Sequence, residues 1–138
     1  MAQRGLGHFV DAQAPVYDQV RRELKAGRKE SHWMWFVFPQ IAGLGQSPMS
    51  IRFAIASLDE AKAYLAHPVL GPRLIECARL ALDVEGRTAR DIFGSIDEMK
   101  FRSSMTLFAR AASDEDVFQR CIDKYFAGNP DPATLSRL

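Results

Sequence analysis

The sequence predicts an all-α protein, one compact domain of six or seven helices with an irregular Gly/Pro loop near residues 39–50. Three observations carry that prediction. Apolar residues recur at the three-and-four spacing of a helix face, and Ser, Thr or Asp stand where helix N-termini need side-chain acceptors. Gly or Pro then closes most periodic stretches. A chain of 138 residues suits one domain and is long enough to bury a sizeable core.

Residues 1–13 read as an irregular N-terminal segment. From Pro15 to Ala26, the residues Val16, Tyr17, Val20 and Leu24 make an apolar stripe opposite Asp18, Arg21, Arg22 and Lys25, which predicts an amphipathic helix. Pro15 suits its first turn, and Gly27 suits the left-handed residue after its last. The stretch Ser31 to Ile55 breaks the pattern. Its apolar run Trp33 to Pro39 is compatible with a buried strand or a buried short helix, and the flanking helices favour the second. Two glycines, a proline and two serines between Ile41 and Ser50 then demand a loop.

Beyond that loop, Ser57 with Glu60 reads as a capping box, in which each side chain satisfies a backbone N–H at a helix start. That helix reaches Ala66, where His67-Pro68 interrupts it and Pro68 opens the next. Val69, Leu70, Leu74, Cys77, Ala78, Ala81 and Leu82 form the next apolar stripe, which stops near Gly86. Thr88 caps a short helix through Phe93, ended by Gly94. Ser95 with Glu98 reads as a second capping box, opening a helix to about Ala112 with Ile96, Met99, Met105, Phe108 and Ala112 on its buried face. Ser113 or Asp114 starts a helix carrying Val117, Phe118, Cys121, Ile122, Tyr125 and Phe126, and Asp131 caps a last short turn.

Composition narrows the function classes. Eighteen basic residues against seventeen acidic ones leave a net charge of +1, so no global field draws the chain to nucleic acid or an anionic membrane. No window approaches the roughly 18 apolar residues of a membrane span, and the start, MAQRGLGHFVDAQ, lacks an apolar leader core, which predicts a cytoplasmic protein. Cys77 and Cys121 have no CxxC partner and read as buried small hydrophobes. His8, His32 and His67 lack zinc-ligand spacing, so no metal site is expected, and no cofactor is indicated.

Polar residues beside aromatics mark the candidate site. Lys29-Glu30-Ser31-His32-Trp33-Met34-Trp35 places a cation, a hydroxyl, an imidazole and both tryptophans within seven positions; indoles can wall a planar ligand, or simply be core aromatics. Gln40, Gly43, Gly45 and Ser47 follow, a glycine pair that lets backbone approach a ligand but falls short of any phosphate-loop fingerprint. Arg73 could clamp a carboxylate or phosphate, or pair with a nearby acid such as Glu76. Asp97, Lys100, Ser103 and Ser104 share one helix, where the hydroxyls either line a polar cleft or bond back to helix carbonyls.

The motifs KESHWMWFVFPQIAGLG, HPVLGPRL, IFGSIDEMKFRSSMTLF and DKYFAGNPDPATL resemble a bacterial family known as domain of unknown function 1810, whose members are sometimes mislabelled calpastatin. The resemblance runs from about Phe9 to Leu138 and implies a mainly helical single domain, with no activity, substrate or catalytic residue to carry over. The residues themselves point to a polar cleft for a small anionic or nucleotide-like metabolite, in a monomer or small homo-oligomer. In a catalytic version His32 would be the general base, Asp97 its orienting partner, and Lys100 or Arg73 the stabiliser of negative charge. The competing class is a non-catalytic interaction module using the Trp-rich segment.

Overall fold

The computed structural model describes residues 5–138. Its helices are α1 Gly7–Gln13, α2 Tyr17–Lys25, α3 Met34–Val37, α4 Pro48–Arg52, α5 Leu58–Ala66, α6 Leu70–Leu82, α7 Ala89–Phe93, α8 Ser95–Ala111, α9 Val117–Phe126 and α10 Pro132–Leu135. The all-α expectation holds, and ten helices among the described residues replace the expected six or seven. The excess comes from short helices of four to seven residues, too short to display a period: α1 and α4, which the pattern did not indicate, and α3 and α10, anticipated as a buried short helix and a short capped turn. Residues 1–4 lie outside the described residues. Of the segment expected to be irregular, Gly7–Gln13 is helical and buries Phe9 and Gln13.

Most helix ends follow the capping chemistry. Ser57 Oγ accepts from the Glu60 N–H at 3.1 Å, while the Glu60 carboxylate accepts from the Ala56 N–H at 2.9 Å. Thr88 and Asp91 form a full capping box, with both bonds at 3.0 Å. Asp131 Oδ2 accepts from the Thr134 N–H at 3.2 Å, and Ser47 Oγ from the Ser50 N–H at 3.1 Å. The Ser95–Glu98 box does not form. Gly94, at φ +87°, is the N-cap instead, Ser95 is already helical, and Glu98 pairs with Arg90 at 2.8 Å. Pro15 sits in the turn before α2 rather than in its first turn. The α6 start belongs to His67, whose Nδ1 accepts from the N–H groups of Val69 and Leu70 at 3.1 and 3.2 Å.

At the centre, α8 packs against α3, α5, α7, α9 and α10, while α6 packs against α2, α5 and α9. Neighbours on every side leave α8 no polar face over 103–108, where each residue is buried. This is why the stripe reading of α8 misplaces its first turns: Ile96 and Met99, expected in the core, are 72% and 69% exposed, and Phe101 begins the buried stretch. Phe101 stacks on Phe93 with centroids 4.5 Å apart and meets the edge of Phe38 at 5.1 Å, tying α8 to α7 and to the residue after α3. The segment around α4 returns by a single parallel bridge between Ile41 and Ile55, the Ile55 N–H donating to Gln40 O and the Ala42 N–H to Ile55 O, both at 2.8 Å.

The buried hydroxyls of α8 resolve differently from one another. Ser103 Oγ donates to Met99 O at 3.0 Å or to Asp131 Oδ2 at 2.9 Å, and Thr106 Oγ1 donates to Arg102 O at 2.8 Å. Ser104 is fully buried and its Oγ has no partner among the described residues. Because an unmet buried hydroxyl costs roughly 1–3 kcal/mol, Ser104→Ala is expected to leave the melting temperature unchanged or raise it, by up to about 1 kcal/mol of stability. Thermal or urea unfolding checks this, and a loss above about 1 kcal/mol would mean that Oγ has a partner after all.

Candidate functional site

The 29–35 segment is shaped by a residue whose role the sequence pattern does not reveal, Glu23 on α2. Its carboxylate is 4% exposed and accepts from the N–H groups of Glu30 at 2.7 Å and Ser31 at 2.9 Å, from Ser31 Oγ at 2.6 Å, from Trp33 Nε1 at 2.9 Å and from Gln19 Nε2 at 2.8 Å. Burial alone would raise its pKa. The hydrogen bonds from Ser31, Glu30 and Gln19 outweigh that and hold the group at about 2, against 4.5 normally. Ser31 and Trp33, both chosen as ligand-binding residues, therefore serve as donors to Glu23. Trp33 is 1% exposed and lines neither of the two clefts described below.

Segment 29–35 and the first turns of α8 meet through charge. Lys29 Nζ lies 2.9 Å from Asp97 Oδ2, with the lysine side chain 7% exposed, and Lys100 Nζ lies 3.6 Å from Asp97 Oδ1. Lys100 also sits over the Trp35 ring at 4.9 Å, and Lys29 over the Trp33 ring at 5.2 Å. The Lys29 N–H donates to Ile92 O at 2.7 Å, which anchors the segment to α7. Trp35, which sequence reasoning left out of the ligand-binding set, is thus the indole at the candidate site, and its buried Nε1 has no partner among the described residues.

Two clefts flank this cluster and share Ile96. The first, of about 330 Å³, is bordered by Lys29, His32, Trp35, Phe93, Ile96 and Asp97. The second, of about 310 Å³, has Gln40, Gly45, Lys100, Arg102, Ser103 and Asp131 in its wall. Arg102 donates to the backbone carbonyls of Asn129 and Pro130, both at 3.0 Å. Arg102 stands within the same polar run as Lys100 and Ser103 but was not distinguished from a solvated helix charge, whereas Asp131, read only as a helix cap, is placed beside Lys100 by tertiary contact.

Other expected site residues lie elsewhere. Arg73 covers the Tyr17 ring at 4.9 Å and reaches Gln13 Oε1 at 3.4 Å, inside a polar network between α1, α2 and α6. Glu76, its expected acid partner, is taken by Arg21 at 3.4 Å and by the Tyr17 hydroxyl. Ser47 is an exposed N-cap. Gly43 lies against the Arg137 guanidinium and borders an adjoining cleft with Gln40 and Gly45, while Ser104 faces the core. His32 is exposed in the first cleft and makes no hydrogen bond or ion pair among the described residues; both Asp97 oxygens face ammonium groups, so the two do not form an imidazole–carboxylate pair. In the Trp-rich segment the Trp33 indole is buried, while Trp35 is half-buried with Lys100 over its ring and borders the first cleft.

Cys77 and Cys121 are free and buried, and burial pushes both thiols up to about 12, so neither is a thiolate at neutral pH. Among the described residues no cluster of His, Cys, Asp or Glu is placed to hold a metal ion, and no helix is long and apolar enough to cross a membrane.

Fold and site together define a small all-α protein with a cationic, aromatic-walled cleft beside its central helix. The chain belongs to the family described as "Protein of unknown function (DUF1810)", whose model matches residues 3–138. A crystal structure of the conserved hypothetical protein Rv1873 from Mycobacterium tuberculosis is similar to it, with a TM-score of 0.95 and 54% identity over 96% of this chain and 95% of that one. A comparison with curated proteins found no match.

Proposed function

We propose that the second cleft binds a small anionic ligand, with Lys100 as its principal contact. The observation that carries this reading is the charge balance: Lys29 and Lys100 share one carboxylate, Asp97, while Arg102 is engaged by neutral carbonyls. Across both clefts Asp131 is the other carboxylate, so three cations stand against two anions. An uncompensated cation in a partly buried site attracts an anion more strongly than one in open water. The Gln40 side chain adds a neutral hydrogen-bond donor beside Lys100. A reaction on the ligand would use His32 as proton acceptor, with Asp97 fixing the two lysines rather than orienting the imidazole.

A thermal-shift titration with inorganic phosphate and carboxylates tests the proposal. A ligand at 100 times its Kd stabilises the fold by about 2.7 kcal/mol. Lys100→Met keeps the aliphatic stem over Trp35 and removes the charge, so the anion-induced shift should vanish while intrinsic stability stays within about 1 kcal/mol. If the variant instead melts many degrees lower with anion affinity unchanged, Lys100 belongs to a structural ion-pair network and the reading fails.

A further inference from the structure

We infer that the ligand is a two-part molecule, an anion at Lys100 joined to a planar ring that reaches over Ile96 into the first cleft. The inference rests on the anion-binding reading and names the class of ligand. The two clefts differ in chemistry. Lys100, Gln40 and Ser103 mark the second as the polar end. The first has three aromatic side chains in its wall, the exposed His32, the half-buried Trp35 and, behind them, the buried Phe93, so His32 and the uncovered part of Trp35 are the rings a flat partner would meet.

Ile96 belongs to both walls, so the two clefts adjoin at a single side chain. That side chain is 72% exposed, and Met99, one turn on and in the wall of the second cleft, is 69% exposed. These two are the exposed large hydrophobics of a helix that is otherwise buried through its middle. An apolar bridge between an aromatic pocket and a cationic one matches a ligand with a flat apolar body and a charged end, as in a nucleoside monophosphate. It does not match a free inorganic anion, which has no use for either Ile96 or the ring wall.

Thermal-shift titrations with AMP, adenosine and inorganic phosphate test this on the wild-type chain and on His32→Ala. His32 is exposed and makes no hydrogen bond among the described residues, so its removal is expected to spare the fold. AMP should bind more tightly than either fragment. His32→Ala should weaken AMP by roughly two- to tenfold, the range for one lost aromatic contact, and leave phosphate unaffected. If phosphate binds through Lys100 and AMP binds no more tightly, the ring half is wrong and the anion site stands. Equal weakening of phosphate and AMP by His32→Ala would also overturn the ring half, since one site would then serve both. If none of the three produces a shift in the wild type, the anion reading fails and takes this inference with it.

Discussion

Glu23→Ala is expected to cost roughly 3–5 kcal/mol, although alanine is the better helix former. The loss comes from the donors left behind. The N–H groups of Glu30 and Ser31, the Ser31 hydroxyl and the Trp33 indole all converge on this carboxylate, and Trp33 has no water to turn to at 1% exposure. Denaturant unfolding at pH 7 measures the effect, and a loss below about 1 kcal/mol would mean that the segment holds its shape without Glu23. The same residue sets an acid sensitivity. Its folded pKa of about 2 lies below the ordinary 4.5, so its stabilisation is complete above about pH 4.5 and is lost as pH falls toward 2. The gap corresponds to about 3 kcal/mol, by which the fall in stability over that window should shrink in Glu23→Gln. Because Glu23 shapes the segment carrying Lys29 and Trp35, the variant should also weaken anion binding.

Gly71→Ala is expected to cost at least about 3 kcal/mol, at the upper end of overpacking. A Cβ at this position would lie 2.1 Å from the Leu65 carbonyl oxygen and 3.0 Å from its carbon. The obstacle is the backbone of α5 just before His67, so no rotamer change relieves it. Moving α6 away from α5 would disturb Leu70 and Leu74, both essentially fully buried. Gly7→Ala is the comparison: an added methyl meets nothing within 4 Å and should be neutral or stabilising by up to about 1 kcal/mol. Similar melting temperatures for the two variants would show that α5 and α6 yield at little cost.

The difference between these glycines illustrates what a sequence can convey. Gly71 follows His67-Pro68 in a stretch that reads as a helix start, and its necessity comes from Leu65, which only the crossing of α5 and α6 brings near. The candidate site divides in the same way. The meeting of the Trp-rich segment with Lys100 was legible, because both are dense in polar and aromatic residues, and Lys29, His32, Gln40, Gly45, Asp97, Lys100 and Ser103 do border the two clefts. Choosing between the tryptophans was not legible. Two residues apart on a short helical turn, they point in different directions, Trp33 to Glu23 and Trp35 to Lys100. Arg73 misled because an arginine near a helix start looks the same whether it faces a ligand or, as here, Tyr17 and Gln13.

By itself the sequence determined the helical class, most segment ends and a composition without strong net charge, because these depend on interactions within four residues or on totals over the chain. Thr88 with Asp91 and Ser57 with Glu60 need no distant partner to act as caps. Tertiary structure alone decided which face of α8 is buried, which indole stands at the cleft, and that Asp97 is shared by Lys29 and Lys100. Those outcomes depend on residues tens of positions apart, whose approach is set by the packing of whole helices. Local spacing carries no record of it.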